Sequence, residues 1–314
     1  MKCMSMLNLT ILRALVCGLM LTTVAKAATE VSLEHEVEVN EENRPWPRKN
    51  DVWKYTTDNG EVKIYYRRLL TPGGGQEYSL PNAETGVGFD GLAFGNWYRN
   101  NAIRVLVNGK DVMALSPASS IKAGAGERGT LKLEWETPGH GGVFRLSFVI
   151  AGDGETIYVM GDLTNFAEDI RTLEIALNAY PGGYSPSYGG KSYRMARTAR
   201  QSGEVPPEAK DDASAFPTLK FGGDESWVFL SDKIANGRAL GLLLLPKEGP
   251  EGELKLSSYT TPIKLRYPKG TMTFRIALSA YAGENETAFG DFRSGMAAQH
   301  AMLESWAEDE GVSK

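Results

Sequence analysis

The sequence predicts an all-β chain: a large antiparallel β-sandwich, supersandwich-like, closed by one C-terminal amphipathic helix. Three observations predict it. Apolar residues recur at period two over most of the stretch from Asp51 to Ala282. Turn signals built from Gly, Asn, Asp and Pro interrupt that alternation at short intervals. No segment between the strands leaves room for the crossover helices that a parallel sheet requires.

The first 27 residues have their own character. Lys2 opens a short polar stretch, Ala14–Val24 is an apolar core, and Ala25-Lys26-Ala27 is a small-x-small cleavage site. Residues 1–27 therefore read as a signal peptide, and the mature chain is expected to begin at Ala28, secreted or periplasmic. The apolar run is too short to span a bilayer comfortably, so no membrane association is expected after cleavage. The chain's two cysteines, Cys3 and Cys17, both lie in this leader. Val16 precedes Cys17 where a lipobox needs a small residue. The mature chain then has no disulfide and no thiol nucleophile, and its stability must come from its core. Removing 27 of 314 residues leaves 287, ample for one large core. Losing Lys2, Arg13 and Lys26 takes the formal charge from −5 to −8, which argues against general nucleic-acid or anionic-membrane binding.

Residues 28–50 begin with a strand-like alternation, Val31 to Val39, and continue into the proline-rigid connector Arg44-Pro45-Trp46-Pro47-Arg48-Lys49. The sandwich domain is expected over 51–314. Val52–Thr56 and Val62–Tyr66 flank Asp58-Asn59-Gly60, a hairpin signal. Ile103–Val107 and Val112–Leu115 flank Asn108-Gly109, a second one. Further strands are expected at 131–136, 143–150, 156–160, 173–179, 218–221, 227–230, 239–245, 253–259, 263–267 and 272–280. Leu242–Leu245 is apolar on both faces, which predicts a central strand buried on both sides. Helical spacing appears only near the end, where Phe292, Met296, Gln299, Leu303 and Trp306 form a stripe within about 287–308.

Two passages carry a family resemblance. One is Tyr158-Val159-Met160-Gly161-Asp162-Leu163-Thr164-Asn165 followed by Leu173-Glu174-Ile175-Ala176-Leu177. The other is Gly237-Arg238-Ala239-Leu240-Gly241-Leu242-Leu243-Leu244-Leu245. Their layout resembles the galactose-mutarotase-like supersandwich, shared by sugar epimerases and by domains of polysaccharide lyases and glycosidases. The resemblance spans roughly Asp51 to Ala282. It implies a sandwich fold and carbohydrate as the ligand class. The epimerases' catalytic histidine motifs have no counterpart here, so the resemblance carries over no catalytic residue.

Candidate chemistry is read from the residues themselves. The three histidines, His35, His140 and His300, show no ligand spacing, so neither a metal site nor a cofactor is expected. His140 lies in the glycine-rich turn Thr137-Pro138-Gly139-His140-Gly141-Gly142, open to a ligand and suited to acid–base work. The alternative is a polar hairpin tip with no chemical role.

Ile175 to Gly203 contains no acid, and within it Lys191, Arg194, Arg197 and Arg200 recur every three residues. A helical turn over 191–200 would set these cations side by side. Tyr184, Tyr188 and Tyr193 stand among them. Rings that stack on sugars, with Arg forks for carboxylate or sulfate, would suit an anionic glycan. Tyr193 is a candidate proton donor or acceptor beside Arg194. The alternative is a loop docked on the protein's own acidic surface. Trp97 suits a loop platform, and Asp224 and Glu225, in a Gly-bearing turn, are candidate general bases.

These observations point to an exported protein that binds or processes carbohydrate, with an acidic polysaccharide as the candidate ligand. Whether it is an enzyme stays open. The competing expectation is a non-catalytic interaction module of an extracellular assembly. The processing expectation is directly testable. N-terminal sequencing of the exported protein should begin at Ala28, and a lipid-modified Cys17 would overturn it.

Overall fold

A computed structural model of the chain describes residues 30–40, 47–71, 76–79, 85–91, 97, 101–136, 142–151, 156–181, 193–205, 216–233, 239–257, 260–282 and 285–309. The leader and its cleavage site lie outside the described residues. The chain folds into two facing sheets. The path of the first runs β1 (Ser32–Asn40), β2 (Arg48–Thr57), β3 (Gly60–Leu70), β5 (Gly86–Gly91), β6 (Ile103–Val107), β12 (Leu173–Ala179), β19 (Thr261–Tyr267), β18 (Glu251–Lys255), β15 (Thr218–Gly222). Two-residue strands, β4 (Glu77–Tyr78) and β7 (Lys110–Asp111), attach to β3 and β6. The second sheet runs β14 (Ser202–Val205), β13 (Arg194–Thr198), β16 (Trp227–Asp232), β17 (Ala239–Leu244), β20 (Thr273–Tyr281), β11 (Thr156–Asp162), β10 (Val143–Ile150), β9 (Gly129–Glu136), β8 (Ser120–Gly124). Every pairing of these strands is antiparallel. The all-β sandwich expected from the alternation is the fold observed.

The core lies between the sheets, where alternate residues of each strand meet. Ile64, Phe89, Val105, Ile175 and Ile263 of the first sheet share one cluster with Leu133, Phe148, Leu240, Leu242 and Ile276 of the second. Polar ends of buried rings cross between the layers. Tyr55 donates its hydroxyl to the Thr130 carbonyl at 2.7 Å, over a glycine, Gly129, whose missing side chain leaves room for the ring. Tyr66 accepts from the Ala118 N–H at 2.6 Å, and burial pushes its phenol up to about 12.

The helix α1 (Asn285–Asp309) lies on the outer face of the second sheet. Its Ala288, Phe292 and Leu303 join Trp227, Phe229, Leu243, Leu245 and Ala277 in a second apolar cluster. Leu240, Leu242 and Leu244 point into the sandwich, while Ala239 and Leu243 point at the helix. This is why β17 is apolar on both faces. Gly241 faces the helix too. A Cβ there would stand 2.6 Å from the Phe292 ring, so the missing side chain is what seats the ring on the strand. Polar contacts fix the helix in register. Gln299 donates to Thr156 Oγ1 at 2.9 Å and to the Tyr281 hydroxyl at 3.1 Å. Arg275, held by Glu248 at 2.8 Å, donates to the Leu303 carbonyl at 3.1 Å.

Several boundaries differ from the sequence expectation. Val112–Ala114, expected as a strand, is a 3-10 turn, because Asp111 Oδ1 accepts from the Met113 N–H at 3.1 Å. Arg104 holds the other Asp111 oxygen at 2.6 Å. The strand expected at 253–259 is Glu251–Lys255, since Gly249, at φ 59°, ends a 3-10 turn and releases the chain into extended backbone earlier. Strands β5, β8, β13 and β14 have no counterpart in the sequence reading. The Asn108-Gly109 hairpin tip is as expected, with both φ angles positive.

The Phe292–Gly241 contact makes a direct prediction. Gly241→Ala should cost about 1–3 kcal/mol by overpacking, read from urea denaturation. Adding Phe292→Ala should make the double variant less destabilised than the sum of the two singles, because the clash is gone.

Candidate functional site

The acid-free stretch does not form a helical turn where it is described. Residues 194–198 are strand β13, paired with β14 on one side and β16 on the other. In a strand, positions three apart point to opposite faces, so the threefold spacing of Arg194 and Arg197 separates them. Arg194 points inward and is 1% exposed, with its Nε 3.5 Å from Asp232 Oδ2 and its guanidinium 5.5 Å from the Tyr180 ring centroid. Its charge is used inside the protein. Arg197 points toward α1, lying over Phe289 and forming a two-pronged pair with Glu286.

The turn between β13 and β14 is built by Glu225. Thr198 N–H donates to the Gln201 carbonyl at 2.8 Å, closing the turn. The buried Glu225 Oε1 accepts from Thr198 Oγ1 at 2.8 Å and from the Arg200 N–H at 3.1 Å. Glu225 itself is positioned by a turn in which its N–H meets the Gly222 carbonyl at 3.2 Å, with Gly223 at φ 65°. This carboxylate, expected as a general base, thus anchors a hairpin. Its neighbour Asp224 is exposed and pairs with Arg200.

Two clefts flank this hairpin. The larger, of about 490 Å³, runs between Arg200, Gln201 and Glu225 on one side and the outward faces of β15, β18 and β19 on the other. Its floor is a cross-strand ladder of charge. Lys220 pairs with Glu253, which pairs with Lys264. One step along, Gly222 pairs with Glu251, which pairs with Arg266. Arg266 also reaches Glu174 of β12 at 3.2 Å. The backbone comes close at Gly252, where the Phe221 ring occupies the space a side chain would need. The second cleft, of about 410 Å³, lies between Arg197, Ser202 and Glu204 and the rings of Trp227 and Phe289.

Each described cation of the hairpin region meets a carboxylate from the protein itself. Arg194 faces Asp232, Arg197 faces Glu286, Arg200 faces Asp224, and Lys233 reaches Glu204 at 3.0 Å. Tyr193 donates its hydroxyl to Glu204 Oε2 at 2.7 Å, and Lys233 lies 4.4 Å from its ring centroid. The Tyr193 and Lys233 bonds hold the Glu204 carboxyl below its ordinary range. Arg197 does the same for Glu286.

The structure brings together Tyr193, Arg197, Asp224 and Glu225 around the β13–β14 hairpin. His140, Tyr184, Tyr188 and Lys191 lie outside the described residues. Trp97 is buried in the core and bridged to Ala179 at the end of β12, so it is not an exposed loop platform. The cleft residues Lys220, Glu251, Glu253, Lys264 and Arg266 escaped the sequence reading. Their signal was present, as charges at alternate positions of neighbouring strands, but which strands are neighbours is a tertiary fact. Among the described residues no group of three His, Cys, Asp or Glu side chains is placed to hold a metal ion. No described helix is long and apolar enough to cross a membrane.

No protein-family model matches the chain, and no curated protein matches it. Solved structures do. An α-N-acetylgalactosaminidase from Bifidobacterium bifidum, in complex with GalNAc, is 9% identical, with a TM-score of 0.49, covering 78% of this chain and 39% of its own. A galactose mutarotase-related enzyme from Lactobacillus acidophilus is 10% identical, with a TM-score of 0.42, covering 74% of this chain and 98% of its own. A TPR-domain-containing protein from Parabacteroides distasonis is 9% identical, with a TM-score of 0.40, covering 81% of this chain and 54% of its own. The chain thus spans about half or less of the first and third of these.

The Tyr193–Glu204 bond has its own readout. A carboxyl with a lowered pKa stabilises the fold above its ordinary titration range, and that contribution is lost as pH falls through the folded-state value. Tyr193→Phe should therefore raise the Glu204 titration midpoint, followed by NMR of its side-chain carboxyl carbon, with the fold intact. An unchanged midpoint would show that the hydroxyl contributes nothing.

Proposed function

We propose that this protein is exported and binds carbohydrate in the cleft between the β13–β14 hairpin and the outward faces of β15, β18 and β19. The observation that carries the reading is the charge ladder of that cleft. Lys220, Lys264 and Arg266 alternate with Glu251 and Glu253 across strands, at the spacing of about 4.7–4.9 Å that a sheet imposes. Such a row presents fixed donors and acceptors side by side. A polyol needs that combination, because each sugar hydroxyl both donates and accepts. The cleft's size, about 490 Å³, lies in the range of small-ligand sites, roughly 300–1,000 Å³.

Export rests on the leader, with its apolar core Ala14–Val24 and the small-x-small site at Ala25–Ala27. The finer reading, an acidic polysaccharide, rests on the acid-free stretch from Ile175 to Gly203. The internal pairing of Arg194, Arg197, Arg200 and Lys233 favours a neutral sugar in its place, since those charges are already compensated. Catalysis is not part of the proposal. Glu225 Oε1 is engaged by Thr198 and Arg200, and Asp224 is tied to Arg200.

A glycan array of the exported protein, including neutral, uronic and sulfated polymers, tests the reading. Neutral polymers should bind, with weak dependence on salt. Lys264→Ala and Arg266→Ala should each weaken a hit by about 10-fold to 100-fold in calorimetry, the equivalent of about 1.5–3 kcal/mol for a charge-assisted bond. Binding confined to acidic polymers and abolished by salt would replace the neutral ligand by the anionic one. No glycan binding, or unchanged affinity in both variants, would remove the cleft as a sugar site.

A further inference from the structure

The first sheet ends at one side on β1, a nine-residue strand whose far edge no described strand covers. Its start is pinned, since Val31 exchanges both backbone bonds with Gly126, at 2.6 and 3.2 Å. From Glu34 onward it is exposed. Its two faces differ. Glu34, Glu36 and Glu38 share one face, in register with Lys54, Val52 and Asn50 of β2. His35, Val37 and Val39 share the other, opposite Trp53, Asp51 and Lys49. Val37 and Val39, at 52% and 51%, are the most exposed of the large apolar side chains described.

This strand is held rigidly at its inner edge. His35 stacks on Trp53 at 5.1 Å and bonds Asp51 through Nε2 at 2.9 Å. Asp51 pairs with the buried Arg68, which reaches Glu77 at 2.7 Å, and Lys49 meets Glu77 at 2.6 Å. A long exposed edge on a rigid backing is a template for strand addition. Its charge decides what can add. In a two-fold antiparallel pairing of β1 with a second copy, directly opposite residues share a face, so glutamate would face glutamate throughout. Like charges directly opposite destabilise a pair.

We propose that β1 is a docking strand for an extended basic segment of a partner protein. That segment adds antiparallel or parallel as a further strand, placing Lys or Arg beside Glu34, Glu36 and Glu38 and β-branched apolar residues beside Val37 and Val39. Backbone hydrogen bonds along the edge supply affinity, and the glutamate row supplies selection: Lys54 offsets Glu34 at 3.4 Å and Asn50 donates to Glu38 at 3.1 Å without cancelling its charge, so the row stays net acidic. This surface is remote in sequence and strand order from the sugar cleft, which sits at the β15 end of the same sheet.

The test uses the full exported protein with two synthetic peptides, one alternating Lys with Val and one alternating Glu with Val. The Lys–Val peptide should bind and the Glu–Val peptide should not, by fluorescence anisotropy. Binding should weaken about tenfold or more toward 1 M salt, where screening shortens to about 3 Å. Amide hydrogen exchange should show new protection along β1 on binding. A Glu34→Lys, Glu36→Lys, Glu38→Lys variant should exchange the preference, taking the Glu–Val peptide. The milder Val37→Asp, Val39→Asp variant, altered only at exposed positions, should weaken the Lys–Val peptide. Both variants are checked for unchanged exchange protection in β2 and β3. Lys–Val binding without new protection of the β1 amides that point away from β2, those same outward amides already protected in the free protein, or a dimer in sedimentation that Val37→Asp dissolves would each overturn the proposal.

Discussion

The seating of Phe292 on Gly241 is the contact on which the architecture turns. It lets α1 approach the middle of the second sheet closely enough to cover β16, β17 and β20. Those strands then bury both faces, one in the sandwich and one under the helix. A sheet with a wet outer face would show polar residues at every second position. This one shows Ala239-Leu240-Gly241-Leu242-Leu243-Leu244 instead. The polar bonds of Gln299 to Thr156 and Tyr281 select one register of the helix. Apolar contact alone is indifferent to a shift along the groove, whereas these bonds are lost by it.

The first sheet meets solvent at its two sides, on β1 and on the outward faces of β15, β18 and β19, while Val52, Tyr65 and Leu69 are buried on its outer face between them. The exposed side of the first sheet carries its polar residues in rows across strands, and the rows are ordered by charge. At the β15 side they alternate in sign, as in Lys220, Glu253 and Lys264. Along β1 itself, the charges of one face are of one sign, in Glu34, Glu36 and Glu38. An alternating row sets hydrogen-bond donors beside acceptors. A single-sign row repels its own copy and attracts the opposite charge. Both patterns follow from the strict alternation of a strand, which commits every second residue to one surface.

The acid-free stretch illustrates how charge is balanced across the fold. Arg194, Arg197 and Arg200 lack local acids, and their partners come from Asp232, Glu286 and Asp224, on β16, on α1 and in the turn between β15 and β16. The pairs tie the β13–β14 hairpin to three different elements. Glu225 fixes the hairpin's turn from beneath. This edge of the second sheet is therefore cross-linked by ion pairs where the middle is held by apolar burial.

The sequence by itself determined the fold class, the antiparallel pairing, most strand positions, the two hairpin tips and the closing helix. These depend on local periodicity and turn chemistry, which adjacent residues encode. It also marked β17 as a strand buried on both sides, because that property is written in the strand's own composition. The tertiary structure alone decided which side chains meet around the hairpin and line the cleft. A threefold spacing of arginines means one face in a helix and opposite faces in a strand, and weakly patterned residues 194–198 became a strand because β14 and β16 flank them. The glycine-bearing β5 and the short β8 were missed for the same reason, since their pairing partners rather than their own propensity hold them extended. That Glu225 anchors a turn follows from Thr198 and Arg200, more than twenty residues earlier in the chain. The cleft ladder joins residues 220, 253 and 264 through strand order. Strand order is set by which apolar faces bury best together, and no window of sequence contains that sum.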